Sequence, residues 1–207
     1  MKVVFAARRL NPGQYEAFRK AWEPPEGFPE GFARAYIVRD TNDPDVVITF
    51  GLFEVSDERA DQLKTELEPS ERARHEAMAP YVAETLVAGL YDVVHQEEGS
   101  ATGAHTIVPL TERVLRPGAL PAYMDAARDA VGGRMPPELV HFIAMAETGR
   151  PEHLIQLGIF RTDDPAGMRE SSQDGRQQML DAIAPHVEST GIDSTFQMVE
   201  ELTPAHA

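Results

Sequence analysis

The side chains able to exchange a proton near neutral pH are seven histidines, at 75, 95, 105, 141, 153, 186 and 206. A His held over a substrate can act as general base in that range. The seven are scattered, with no pair at metal-ligand spacing on one obvious element, so no metal site is expected. Cysteine is absent, which removes thiolate nucleophiles, disulfides and Cys-based zinc or iron–sulfur sites. The sequence also has no dinucleotide fingerprint, P-loop, HExxH or Gly-x-Ser-x-Gly. Donors for a developing oxyanion are present: Arg34 and Tyr36 on one strand-like run, Trp22 at the end of a helical run, and Tyr81 and His186 directly after prolines.

A repeat must position these groups. "EAMAPYVAET" (76–85) and "DAIAPHVEST" (181–190) match at five of ten positions, 105 residues apart, and "NPGQYEAF" (11–18) meets "RPGALPAY" (116–123) at the same offset. "ITFGLFEVSD" (48–57) meets "IQLGIFRTDD" (155–164) at an offset of 107, the two extra residues falling in a loop region. Each half reads β-α-β-β-α-β, with Pro-Gly at the first helix start and turn chemistry ("TNDPD", "TGRPE") between the middle strands. The expected class is α+β: two tandem ferredoxin-like repeats, 1–97 and 105–207, joined by a polar, Gly-containing linker at 98–104. The recurrent Pro80 and Pro185 imply a shared kink or helix restart.

A four-stranded sheet with two helices on one face leaves its other face bare, and an equivalent sheet is the obvious cover, giving an intrachain dimeric α+β barrel. On the run 32–40, Arg34, Tyr36 and Val38 share one side and Ala33, Ala35 and Ile37 the other; His141 corresponds to Arg34. The polar-bearing side faces either the helices, placing Arg34 and His141 in a helix–sheet cleft, or the other sheet. Tyr15, Phe18 and Trp22 recur at helical spacing, as core or as a stacking platform. Trp22 precedes "EPPEGFPEGF", a loop suited to act as a flap.

The run "ITFGLFEVSDERADQL" followed by "ARHEAMAPYV" resembles the antibiotic biosynthesis monooxygenase group of dimeric α+β barrel proteins, in a tandem version, over nearly the whole chain. The resemblance implies oxygenation of phenolic or quinol-type aromatics without metal or flavin, with polyketide cyclisation or non-catalytic binding as alternatives on the same fold. It singles out His75. Haem-degrading relatives combine a His near this point with an Asn on the first strand and a Trp opening the second helix. Here Ala6 and Ala7 stand where the Asn would be and "SDERADQLKTE" holds no Trp, so no haem or other cofactor is expected. The repeat partner of His75 is Leu180, which would confine chemistry there to one half. The expected site has His75 or His141 as base with Arg34, lined by Tyr15, Trp22, Tyr36, Tyr81 and His186, taking a small aromatic substrate and O₂. A net charge of −15 repels nucleic acid and anionic membranes. Arg8 and Arg9 interrupt the opening apolar run before a signal core or membrane span forms, so a cytoplasmic protein is expected, with further homodimerisation left open.

Overall fold

The β-branched and apolar alternation of each half becomes strand, and the charged runs with apolar residues three and four apart become helix. The computed structural model describes residues 1–24, 27–130, 132 and 136–203, with backbone alone for 169–174. The first repeat forms β1 (Lys2–Leu10), α1 (Tyr15–Trp22), β2 (Phe32–Asp40), β3 (Val46–Phe53), α2 (Asp57–Met78) and β4 (Val82–Glu98). The second forms β5 (His105–Leu115), α3 (Leu120–Ala130), β6 (Leu139–Glu147), β7 (Arg150–Thr162), α4 (Pro165–Ile183) and β8 (Val187–Leu202). The βαββαβ order expected of each half is therefore the order found. Within each half the pairings are antiparallel: β1 lies between β3 and β4, with β2 outside β3, and β5 lies between β7 and β8, with β6 outside β7. The hydrogen-bonded order closes as β1-β3-β2-β8-β5-β7-β6-β4, the α+β barrel expected of a fused pair. The chain divides into two compact units, residues 1–92 with those from 198 onward, and 93–197. Among the described residues no helix is long and apolar enough to cross a membrane.

Local chemistry sets the helix ends. The Ser56 hydroxyl accepts from the Arg59 amide and opens α2, and the Asp164 carboxylate accepts from the Gly167 amide and opens α4. The first helices begin later than their Pro-Gly pairs suggest. Gly13 and Gly118 have φ of 73° and 74°, closing turns in which Gln14 N bonds Asn11 O and Ala119 N bonds Arg116 O, at 3.1 and 2.9 Å. Pro-Gly here supplies the centre of a type II turn, whose third residue needs positive φ, rather than the first helical turn. The repeated prolines restart the chain: α2 and α4 stop at Met78 and Ile183, and Pro80 and Pro185 sit in the 3-10 turns Ala79–Tyr81 and Ala184–His186. Those turns dock identically, since Asn11 N donates to Tyr81 O and Arg116 N to His186 O, each at 2.9 Å. The segment after β4 is tied by backbone bonds from Gly99 to Val140 and from Ala101 to Leu139.

The helices cover one sheet face in each unit. In the first, Leu10, Ala35, Ile37 and Val47 pack against Tyr15, Phe18, Trp22 and Met78. In the second, Leu115, Ala146 and Leu154 pack against Tyr123 and Ile183. Complete burial of a side chain such as Phe18 stabilises the fold by about 2–3 kcal/mol.

Candidate functional site

Side-chain alternation on β1 places Val4, Ala6, Arg8 and Leu10 on the face that meets the helices. Arg8 is only 8% exposed. Its Nη1 donates to Thr49 Oγ1 at 3.3 Å and its guanidinium carbon lies 5.9 Å from the Phe18 ring centre. Among the described residues no carboxylate lies within 4 Å of it. Burial, the nearby Arg74 charge and, in opposition, Glu71 leave it pushed down to about 10. An uncompensated buried charge of this kind costs on the order of several kcal/mol.

The rest of the cleft comes from α1, α2 and the loop before β2. One face of α2 presents Leu63, Glu71, Arg74 and Met78 at helical spacing, with His75 at its solvent margin. Arg74 pairs with Glu71 and donates to the Trp22 carbonyl at 3.3 Å, joining α2 to the end of α1. Partial burial and the charges of Arg74 and Arg8, against Glu71, hold the His75 imidazole below its ordinary range, favouring its neutral form. Beyond Trp22 the wall is aromatic: Trp22 to Phe28 at 6.0 Å, Phe28 stacked on Phe32 at 3.9 Å, and Phe32 edge-on to Phe53 at 5.9 Å. The Phe53 ring lies over Gly51, where an added Cβ would stand 3.2 Å from Cε2. Thr49, which accepts from Arg8, and Gly51, which Phe53 covers, are about 7 Å apart on the same face of β3.

The expected residues divide between faces. Trp22 (5% exposed), Tyr15 and Tyr81 pack on the helix side of the first sheet, and His75 is exposed in the last turn of α2. Tyr15 is occupied at the far end of α1, where the Arg39 guanidinium lies 4.4 Å over its ring. Because Ala35 and Ile37 face the helices, Arg34 and Tyr36 point the opposite way: Arg34 Nη1 donates to Tyr36 Oη at 3.1 Å, and Tyr36 packs 4.8 Å from Phe50. His141 is buried on the same non-helix side of its own sheet, since Ala146 faces the helices. His186 is half-buried in the turn after α4. His153 lies between Glu112 and Glu147, its ring nitrogens 2.5 and 2.6 Å from their oxygens, and His206 is outside the described residues. Among the described residues no three His, Asp or Glu side chains form a metal-holding group.

Sequence reasoning missed Arg8, Arg74 and Glu71. The available signal was the recurrence of Arg8 as Arg113, 105 residues on, at a helix-facing position of the matching strand. Arg113 is 2% exposed and its Nη1 has three side-chain oxygens around it, Thr111 Oγ1, Tyr123 Oη at 3.3 Å and Gln156 Oε1 at 3.2 Å, and Tyr123 Oη bonds Gln156 Oε1. The first repeat has Ala6, Phe18 and Thr49 at those three places. Opposite, Arg74 and His75 become Met179 and Leu180, which pack against the second repeat's apolar core, and Trp22 becomes Ala127.

No family model and no curated protein sequence matches the chain. Solved structures do match in fold. A Fusobacterium nucleatum protein provisionally named a monooxygenase aligns over 98% of this chain and 94% of its own, with a TM-score of 0.72 at 10% identity. An anthrone oxidase-like protein aligns over 98% and 92%, at 0.71 and 11%. A ferredoxin-fold protein from Listeria monocytogenes, described as related to antibiotic biosynthesis monooxygenases, aligns over 97% and 95%, at 0.50 and 9%. The fold is thus that of tandem proteins resembling this group, in line with the sequence resemblance.

Proposed function

We propose that the helix–sheet cleft of the first repeat is the working site of a monooxygenase that takes an ionisable hydroxyaromatic of the phenol, quinol or anthrone type. The carrying observation is the grouping of His75, its neutral form favoured, with Arg74 and Arg8 in a repeat that also holds the Trp22–Phe28–Phe32–Phe53 aromatic cluster, a combination the second repeat lacks. The fold neighbours named monooxygenase and anthrone oxidase-like support the same class. His75 takes the acidic proton of the substrate, and Arg74 favours the resulting anion. That anion gives an electron to O₂. One oxygen atom bonds to the ring carbon, a CH₂ becomes C=O, and its two hydrogens leave with the other oxygen as water, so the substrate supplies all four electrons and no external reductant or cofactor enters the balance. Trp22, Phe28, Phe32 and Phe53 exclude water and hold the ring plane.

The test is oxygen uptake by purified protein with anthrones, hydroquinones and hydroxynaphthalenes, using ¹⁸O₂ and mass analysis of the product. Uptake with one labelled atom per product supports the reading. Binding without uptake across the panel rejects it in favour of a cyclase or a carrier.

A further inference from the structure

We infer that Arg8 is an anion anchor and that the ligand of the first-repeat cleft carries a carboxylate separate from its reacting hydroxyl group: the substrate is a hydroxyaromatic acid. The substrate class of the preceding section is thereby narrowed, and the oxygenation chemistry rests on that reading; the anchor does not.

The argument comes from what the two repeats do with one guanidinium. In the second repeat, side-chain oxygens of Thr111, Tyr123 and Gln156 surround Arg113. In the first repeat the corresponding Ala6 and Phe18 offer no oxygen, and Thr49 offers one, at 3.3 Å. The cation stayed buried while its acceptors were removed. A planar guanidinium presents parallel N–H pairs spaced for the two oxygens of a carboxylate, so one such group on a ligand replaces the missing acceptors at once. Among the described residues, the carboxylate that acts on both Arg8 and Arg74 is Glu71, which Arg74 already engages. In a chain of net charge −15 this is a local positive island. The aromatic cluster of Trp22, Phe28, Phe32 and Phe53 belongs to the same repeat and offers apolar contact to a ring attached to the carboxylate.

The experiment compares 3-hydroxy-2-naphthoic acid with its amide and with 2-naphthol, by calorimetry and by quenching of Trp22, the protein's one tryptophan. Expected is at least about tenfold tighter binding of the acid than of the amide. Arg8→Gln should bring the acid down to the level of the amide while leaving amide and naphthol binding unchanged, and Arg8→Lys should restore part of the preference. Thermal melts of each variant check folding, and Arg113→Gln serves as a second-repeat control that keeps the acid preference. Equal binding of acid and amide, no acid binding at millimolar concentration, or equal loss of all three ligands in Arg8→Gln overturns the anchor. An intact acid preference without oxygen uptake defeats the oxygenase reading alone; uptake with neutral phenols and no acid preference defeats the anchor alone.

Discussion

Arg8 and Arg113 hold the same place in two copies of one fold, and their surroundings are opposite. Around Arg113 the second repeat gathers three side-chain oxygens and fills the helix side with Met179 and Leu180. Around Arg8 the first repeat replaces two acceptors by Ala6 and Phe18 and sets Arg74 and His75 opposite. A buried ion that is satisfied from within serves the fold; one left short of partners beside an aromatic wall serves a ligand. On this account a duplicated domain kept one copy as scaffold and opened the other.

The sharpest break of that asymmetry is kinetic. His75→Gln should lower turnover on an accepted substrate by about 10²–10⁴-fold, whereas Leu180→Gln should change it little. Since burial and the neighbouring Arg74 charge depress His75, the neutral base is favoured, and kcat/KM should fall only as pH drops below the usual histidine range. The Gln variant should lose that acid limb, which a pH–rate profile will read. Next come opposed effects on stability. Gln156→Leu removes an acceptor of a buried cation and should cost about 2–3 kcal/mol, near 5–10 °C in Tm. Arg8→Met, by contrast, should leave Tm unchanged or raise it, because it removes an uncompensated charge. Chemical and thermal denaturation of the two variants side by side decides the matter.

A transplant sharpens the comparison further. Phe18→Tyr with Thr49→Gln gives Arg8 two of the three acceptors of Arg113; Tm should rise by a few degrees and binding of a hydroxyaromatic acid should weaken by about tenfold. The smallest effect is expected away from the cleft, at the ion pair between Arg19 of α1 and Glu200 of β8, where Nη2 and Oε1 are 2.5 Å apart. The hydrogen bond from Arg19 holds the Glu200 carboxyl below its ordinary value. A depressed carboxyl stabilises above the unfolded-state value, and that contribution is lost as pH falls through the lower folded one. Glu200→Gln should therefore cost about 1 kcal/mol at neutral pH and nothing in acid, without altering ligand binding.

The sequence made the fold legible because duplication prints each element twice: recurrent glycines, prolines and strand runs sit at fixed offsets, and loops absorb the differences. The site was less legible. Side-chain alternation showed that Arg34, Tyr36 and Val38 share a face but not which face meets the helices; the packing of Ala35 and Ile37 against α1 decides that. His75 stood out by position, and Leu180 opposite it hinted at asymmetry. Arg8 was hidden because an Arg near the end of an apolar strand reads as a solvated edge; only its recurrence as Arg113, with acceptors present in one copy and absent in the other, marks it as part of a site.

The most direct test of one open and one closed copy is the number of ligand molecules bound per chain, measured by calorimetry with a hydroxyaromatic acid at saturating concentration. The account predicts one, with its affinity weakened by about tenfold in Arg8→Met and kept in Arg113→Gln. Two per chain, or one that disappears with Arg113 and survives loss of Arg8, would contradict it.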